Sequence, residues 1–172
     1  MHRFNTLSLI GMPGVGKSTV GVILAKQTGL RFVDTDLDIQ VREGATLQTI
    51  IEQHDYRYLR RVEEEVLLDI DLGGALISTG GSVVYSAASM QRLQQAGPVI
   101  YLQADLQTLQ QRVAAAPLRG IASDSKQSFA QVYAERTPLY AQYADHTVDA
   151  TQGGPEAVAT AIRDALENPA TD

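Results

Sequence analysis

The chain has no cysteine and no tryptophan, and only three histidines among its 172 residues. Without cysteine there can be no disulfide framework, no thiolate zinc site and no thiol nucleophile, which suits a reducing compartment and makes the cytoplasm the expected location. The histidines at 2, 54 and 146 are too scattered to suggest a metal site. Long hydrophobic runs are missing as well. The apolar stretch 7–10 is too short for a secretory core or a membrane span, so no membrane partner is expected. Positive charge is scarce, with 14 Lys and Arg against 20 Asp and Glu, a net charge of -6. That balance argues against a broad basic surface for nucleic acid and leaves a small molecule as the better-fitting partner.

What remains is enough for one domain with an ordinary apolar core, and a monomer spanning 1–172 is expected. Short aliphatic or β-branched runs at 6–10, 31–34, 75–79, 98–103 and 147–149 alternate with helical patterns at 17–27, 36–43, 46–53, 56–68, 86–95, 106–115, 125–144 and 154–167. Such alternation predicts an α/β fold: a five-stranded, mainly parallel sheet with helices on both faces. Glycines and prolines break the patterns between elements. Residues 114–128 mix Pro117, Gly120, small residues and scattered charge, and are read as a mobile excursion.

The strongest motif is Gly11-Met12-Pro13-Gly14-Val15-Gly16-Lys17-Ser18-Thr19, a Walker A pattern lying between an apolar strand and a helical run. Its backbone N–H groups can curl around phosphate oxygens, with the positive end of the following helix behind them. Lys17 would reach the β- and γ-phosphates of ATP, and the Ser18 hydroxyl would serve Mg²⁺. The loop predicts nucleotide binding and leaves the second substrate open.

Four further patterns bear on that substrate. Asp34-Thr35-Asp36 ends the second strand, where ligands gather in open α/β sheets. Alternation along an extended segment would put both carboxylates on one side, one near Ser18 and its metal, the other for an attacking hydroxyl; a helix N-cap is the plainer reading. Arg60 and Glu63 are neighbours on one helix face, as they would be in a solvated charge stripe too. Gly80 and Gly81 end the third strand, either admitting a ligand close to the backbone or making a tight turn. In Glu135-Arg136-Thr137-Pro138-Leu139-Tyr140, Arg136 could clamp a carboxylate or pair with a nearby acid, and the tyrosine reads as a packing residue with a wet hydroxyl.

Taken in order and spacing, these motifs resemble the shikimate kinase family from Leu7 to about Ile162. The matching elements are the Walker A loop, Asp-Thr-Asp, Arg-Arg-x-Glu, the Gly-Gly loop, Glu-Arg-x-Pro-Leu-Tyr and a terminal Asp-x-Thr-Val-Asp strand. The resemblance implies a P-loop kinase core with a helical acceptor region at 37–72 and a lid at 114–128. It implies that Gly14, Val15, Gly16, Lys17, Ser18, Thr19 and Arg112 hold ATP, and that Ser18 and Asp34 serve Mg²⁺. Asp36 would guide the acceptor hydroxyl, Arg60 and Arg136 hold its carboxylate, Glu63 support Arg60, and Gly80 and Gly81 line the ring. Lys17, Asp36 and Arg136 are then the catalytic set, and the nucleotide base would lie between Arg112 and the loop 150–155.

The chain departs from the family pattern in a smaller way at Leu59, where an aromatic residue is common, and in the spacing after Arg112, which is a few residues short; two departures weigh more. Ser82 stands where a third glycine is usual, and Ala116 stands where the lid carries an arginine; Arg119, three residues on, is the one nearby substitute. Two alternatives follow from these departures: a kinase for another carboxylate-bearing alcohol such as gluconate or homoserine, or a nucleotide-binding relative without catalysis.

Overall fold

The computed structural model describes residues 4–116 and 120–167. Five parallel strands form one sheet in the order β2-β3-β1-β4-β5. They are β1 (Leu7–Ile10), β2 (Arg31–Asp34), β3 (Ala75–Ser78), β4 (Val99–Gln103) and β5 (His146–Asp149). β1 and β3 are buried at every position and β4 at all but its last, as near-continuous apolar strands are when helices cover both faces. β2 and β5 hold the edges and are only partly buried. In the centre, Leu9 is in register with Ser78 on one side and Ile100 on the other.

The helices are α1 (Lys17–Thr28), α2 (Thr35–Glu43), α3 (Leu47–Gln53), α4 (Tyr56–Asp69), α5 (Ala87–Ala96), α6 (Leu106–Ala115), α7 (Phe129–Tyr143) and α8 (Pro155–Glu167). None of the described helices is long and apolar enough to cross a membrane. The elements stand where the sequence pattern puts them, with two instructive shifts. α7 begins four residues later than its periodicity suggests, because Ser128 and Gln131 form a reciprocal capping box that fixes the start. A 3₁₀ turn at Val83–Tyr85, too short to leave a periodic trace, follows the glycine pair.

Two apolar clusters hold the chain together. The larger surrounds the sheet and takes in α1, α5, α7 and α8. The smaller comprises Ile39, Ile50, Leu59, Val62, Val66 and Ala122. Helix α4 belongs to both: Leu59, Val62 and Val66 face the small cluster and Leu67 the large one. The 37–72 region is thus seated on the sheet by an amphipathic helix, with the C-terminal ends of β1, β2 and β3 opening between them.

Candidate active site

The loop after β1 makes the phosphate cradle. Gly14 and Gly16 have φ of 84° and 102°, left-handed values that let successive N–H groups turn inward at little cost only without a Cβ. Lys17 begins α1, is 8% exposed, and donates from Nζ to the carbonyls of Gly11 (2.7 Å) and Met12 (3.0 Å). Burial pulls its ammonium down to about 8, with Asp36 and then Asp34 pushing it back up. The ammonium stays largely charged at neutral pH, and phosphate oxygens beside it would favour that form further.

The Asp34-Thr35-Asp36 segment turns at once into helix, so the two carboxylates are not brought together by strand alternation as expected. Asp34 is the N-cap of α2, its Oδ1 accepting from the Asp36 N–H at 3.1 Å. Its other oxygen accepts from the Ser18 hydroxyl at 2.6 Å. Capping and a place beside Ser18 are therefore compatible roles of one side chain. A hydroxyl and a carboxylate oxygen, both hard donors at the end of the phosphate cradle, fit Mg²⁺, which takes one or two carboxylates and completes its shell with phosphates and water. No cluster of three or more His, Cys, Asp or Glu side chains that could hold a metal by itself occurs among the described residues.

Gly14, Gly16, Lys17, Ser18, Thr19, Asp36, Glu63, Gly80, Gly81, Arg112 and Arg136 all line one cavity of about 320 Å³. Val15 does not; its side chain is buried and its carbonyl accepts from Arg112 Nη1 at 3.1 Å. Arg112 reaches the carbonyl of Ala150 with Nη2 at 3.3 Å, which sets it between the phosphate loop and the loop after β5. Arg60 lines an adjoining cavity with Glu63, Ser82 and Tyr85.

The expected pairing of Glu63 with Arg60 is not formed. Glu63 is 5% exposed and accepts a short hydrogen bond from the Ser82 hydroxyl, while its Oε1 is buried without a partner. Burial lifts its carboxyl to about 7; the Ser82 hydrogen bond acts the other way and the charge of Asp36 adds to the rise. A side chain on Gly80 would meet Glu63 head-on and would lie 3.1 Å from Asp36 Oδ1, which is why the backbone there must be bare. Ser82, one residue beyond the glycine pair, supplies the partner Arg60 was expected to be.

Arg60 instead donates from Nε to the carbonyl of Ala122 at 3.0 Å and lies over the Tyr85 ring, 3.8 Å from its centroid. Arg136, 1% exposed, donates from Nη2 to the same carbonyl at 2.8 Å, and its Nε has no partner. Sequence reasoning missed Tyr85, Tyr140 and Ala122. Tyr140 is fully buried and its hydroxyl donates to the carbonyl of Gly81, so that hydroxyl is dry rather than wet. The spacing of Arg136 and Tyr140, four apart on one helix face, carried that signal; nothing in the sequence marks a backbone carbonyl such as that of Ala122. Ala116 lines the cavity and ends α6, and Arg119 lies outside the described residues.

With this geometry in hand, similarity to known proteins is specific. The family profile described as shikimate kinase matches residues 13–167. The shikimate kinase of Aromatoleum aromaticum is 35% identical over 163 residues, 93% of each chain. The shikimate kinase of Acinetobacter baumannii, solved in complex with shikimate, superposes with a TM-score of 0.84 at 28% identity, covering 98% of this chain and 97% of that one. A gluconokinase from Sinorhizobium meliloti shares the fold alone, with a TM-score of 0.54 at 14% identity over 97% of this chain and 94% of its own. On the extent of the profile match and of the identity, the chain belongs to the shikimate kinase family.

Proposed function

We propose that the chain transfers the γ-phosphoryl group of ATP to a hydroxyl of shikimate, giving shikimate 3-phosphate and ADP, a step of chorismate formation. The observation that carries this reading is the convergence of Lys17, Asp36, Gly80, Gly81 and Arg136 on one cavity in a chain of this family. The cradle of N–H groups and Lys17 hold the β- and γ-phosphates and take up charge as the bond to the leaving oxygen lengthens. Asp36 lines the cavity with Lys17 and Glu63, its charge acting on both, and serves as the acceptor of the hydroxyl proton. The hydroxyl oxygen forms its bond to the γ-phosphorus, the bridging P–O bond breaks, and ADP leaves with the electron pair. Arg136, buried, held by the Ala122 carbonyl and with Nε unmatched, is suited to the acceptor's carboxylate. Arg60 shares that role from the adjoining cavity.

Ser18 and Asp34 would hold Mg²⁺, which when bound neutralises charge on the β- and γ-phosphate oxygens. Arg112 and the loop after β5 are read as the base end of the nucleotide site. Residues 37–72 act as the acceptor region and 114–128 as the cover, in a cytoplasmic monomer whose partners are ATP and the hydroxy acid. The net charge of -6 supports small-molecule partners over nucleic acid.

The test is ADP release with MgATP and shikimate, set beside gluconate, homoserine and no acceptor, with the product identified by mass. Turnover with shikimate alone, giving its 3-phosphate, is expected. ATP binding without shikimate turnover would rule the acceptor out.

A further inference from the structure

The carbonyl of Ala122 accepts from both acceptor-side arginines, which also share the Tyr85 ring. It receives Nε of Arg60 and Nη2 of Arg136, side chains from α4 and α7 that are 76 residues apart in sequence. A guanidinium carries five N–H donors in a fixed plane, so one bond to a carbonyl fixes the plane and leaves the rest of the fork available. On Arg136 that remainder includes the buried, unmatched Nε. Each guanidinium keeps further N–H groups beyond the one given to the carbonyl, and a carbonyl dipole does not neutralise two cations.

Two local features hold the carbonyl there. The Ala122 methyl is buried in the small cluster with Ile39, Ile50 and Leu59. Gly120 lies against the start of α3, where a Cβ would stand 2.5 Å from the Leu47 carbonyl carbon and oxygen and 2.9 Å from Gln48 N. Those are backbone atoms of a helix start and cannot swing aside. Gly120, Ile121 and Ala122 also line the cavity that holds Lys17 and Asp36.

We infer that Gly120 and Ala122 are positioning residues of the acceptor clamp: when the 120–122 segment is seated on α3, the Ala122 carbonyl aligns Arg60 and Arg136 to receive the acceptor's carboxylate. Carbonyl and carboxylate are held together on different N–H groups of the same two forks. Seating of the segment and binding of the carboxylate therefore favour one another, and by linkage each strengthens the other equally. The inference rests on the proposed acceptor and assigns the recognition of its acid group to a backbone contact.

The experiment compares shikimate with its methyl ester in the wild type and in Gly120→Ala. Loss of the seat should raise KM for shikimate by about 10-fold, leave nucleotide affinity within about 2-fold, and reduce the preference in kcat/KM for acid over ester by about 10-fold. A merely structural role would depress both acceptors alike and leave that preference unchanged, overturning the clamp. Hydrogen exchange of the wild type is the second measurement and needs no variant. Amides at 120–123 should be protected by shikimate and not by the ester, and equal protection by both would overturn the clamp. Absence of shikimate turnover by the wild type would instead overturn the substrate, a result distinct from turnover with an unchanged acid preference in Gly120→Ala.

Discussion

Around the phosphate loop, β1, β3 and nearly all of β4 are buried and packed into one large apolar cluster that reaches both faces of the sheet. The acceptor region has a core of six residues, one of which, Ala122, comes from beyond α6. The nucleotide end therefore rests on an interior that nothing in the reaction needs to disturb. The acceptor end is completed by a segment that also forms the cavity wall. Elements drawn from the less buried part of a structure are the ones that open locally at small free-energy cost. Under the proposed function, the contrast would leave chemistry to the end with the larger core and recognition to the end with the smaller one.

The largest effect that tests this division is at Lys17. Replacing it by alanine removes the buried ammonium of the phosphate cradle, and kcat should fall by about 10³-fold while acceptor affinity stays near the wild-type value. Rapid-quench rates with equilibrium binding of shikimate check both halves of the statement. A comparable loss of shikimate binding would break the division. The same residue gives a pH signature. Its folded value of about 8 lies below the ordinary 10.5, so between these limits the unfolded chain binds more protons and stability rises with pH. Urea denaturation should show the wild type gaining on Lys17→Met from pH 8 upward.

Next in size are paired core substitutions. Leu9→Ala, in the centre of the sheet, should cost about 3–5 kcal/mol and lower nucleotide binding and global stability together. Ile50→Ala, in the small cluster, should cost about 2–4 kcal/mol locally, raising KM for the acceptor while nucleotide affinity holds. Calorimetric titration of ATP into both variants tells them apart; equal weakening would mean the two cores open as one.

The same contrast runs through what the sequence made legible. The phosphate loop and the alternation of strands and helices are local signals: glycine spacing, aliphatic runs and helix periods all report on the same arrangement. The acceptor end depends on contacts across long gaps in sequence. Asp34 and Asp36 were read as candidate site residues placed by strand alternation; what places them instead is a capped helix start. Glu63 was read as a neighbour and support of Arg60 on a face that could equally be solvated, yet it is buried and Ser82, 19 residues on, takes its carboxylate. Ser82 is the N-cap of the 3₁₀ turn at Val83–Tyr85, and so short a turn leaves no periodic trace. The Ala122 carbonyl was illegible in principle, since backbone acceptors carry no residue identity.

The smallest expected effect concerns that Glu63–Ser82 pair. The folded carboxyl titrates near 7 against an ordinary value of 4.5, so folding takes up a proton between these limits. Stability associated with Glu63 is complete below about pH 4.5 and is lost as pH rises through 7, where the buried group must ionise beside Asp36. Glu63→Gln keeps the hydrogen-bonding shape without that ionisation. It should stabilise the protein by about 2 kcal/mol at pH 8 and by almost nothing at pH 4.5, read from denaturant midpoints across the range. Ser82→Gly removes the hydroxyl that favours the ionised form, so the midpoint of the wild-type pH dependence should move upward in that variant. If both midpoints coincide, the serine only fills space, and the adjustable character of the acceptor end must be sought in the Ala122 contact alone.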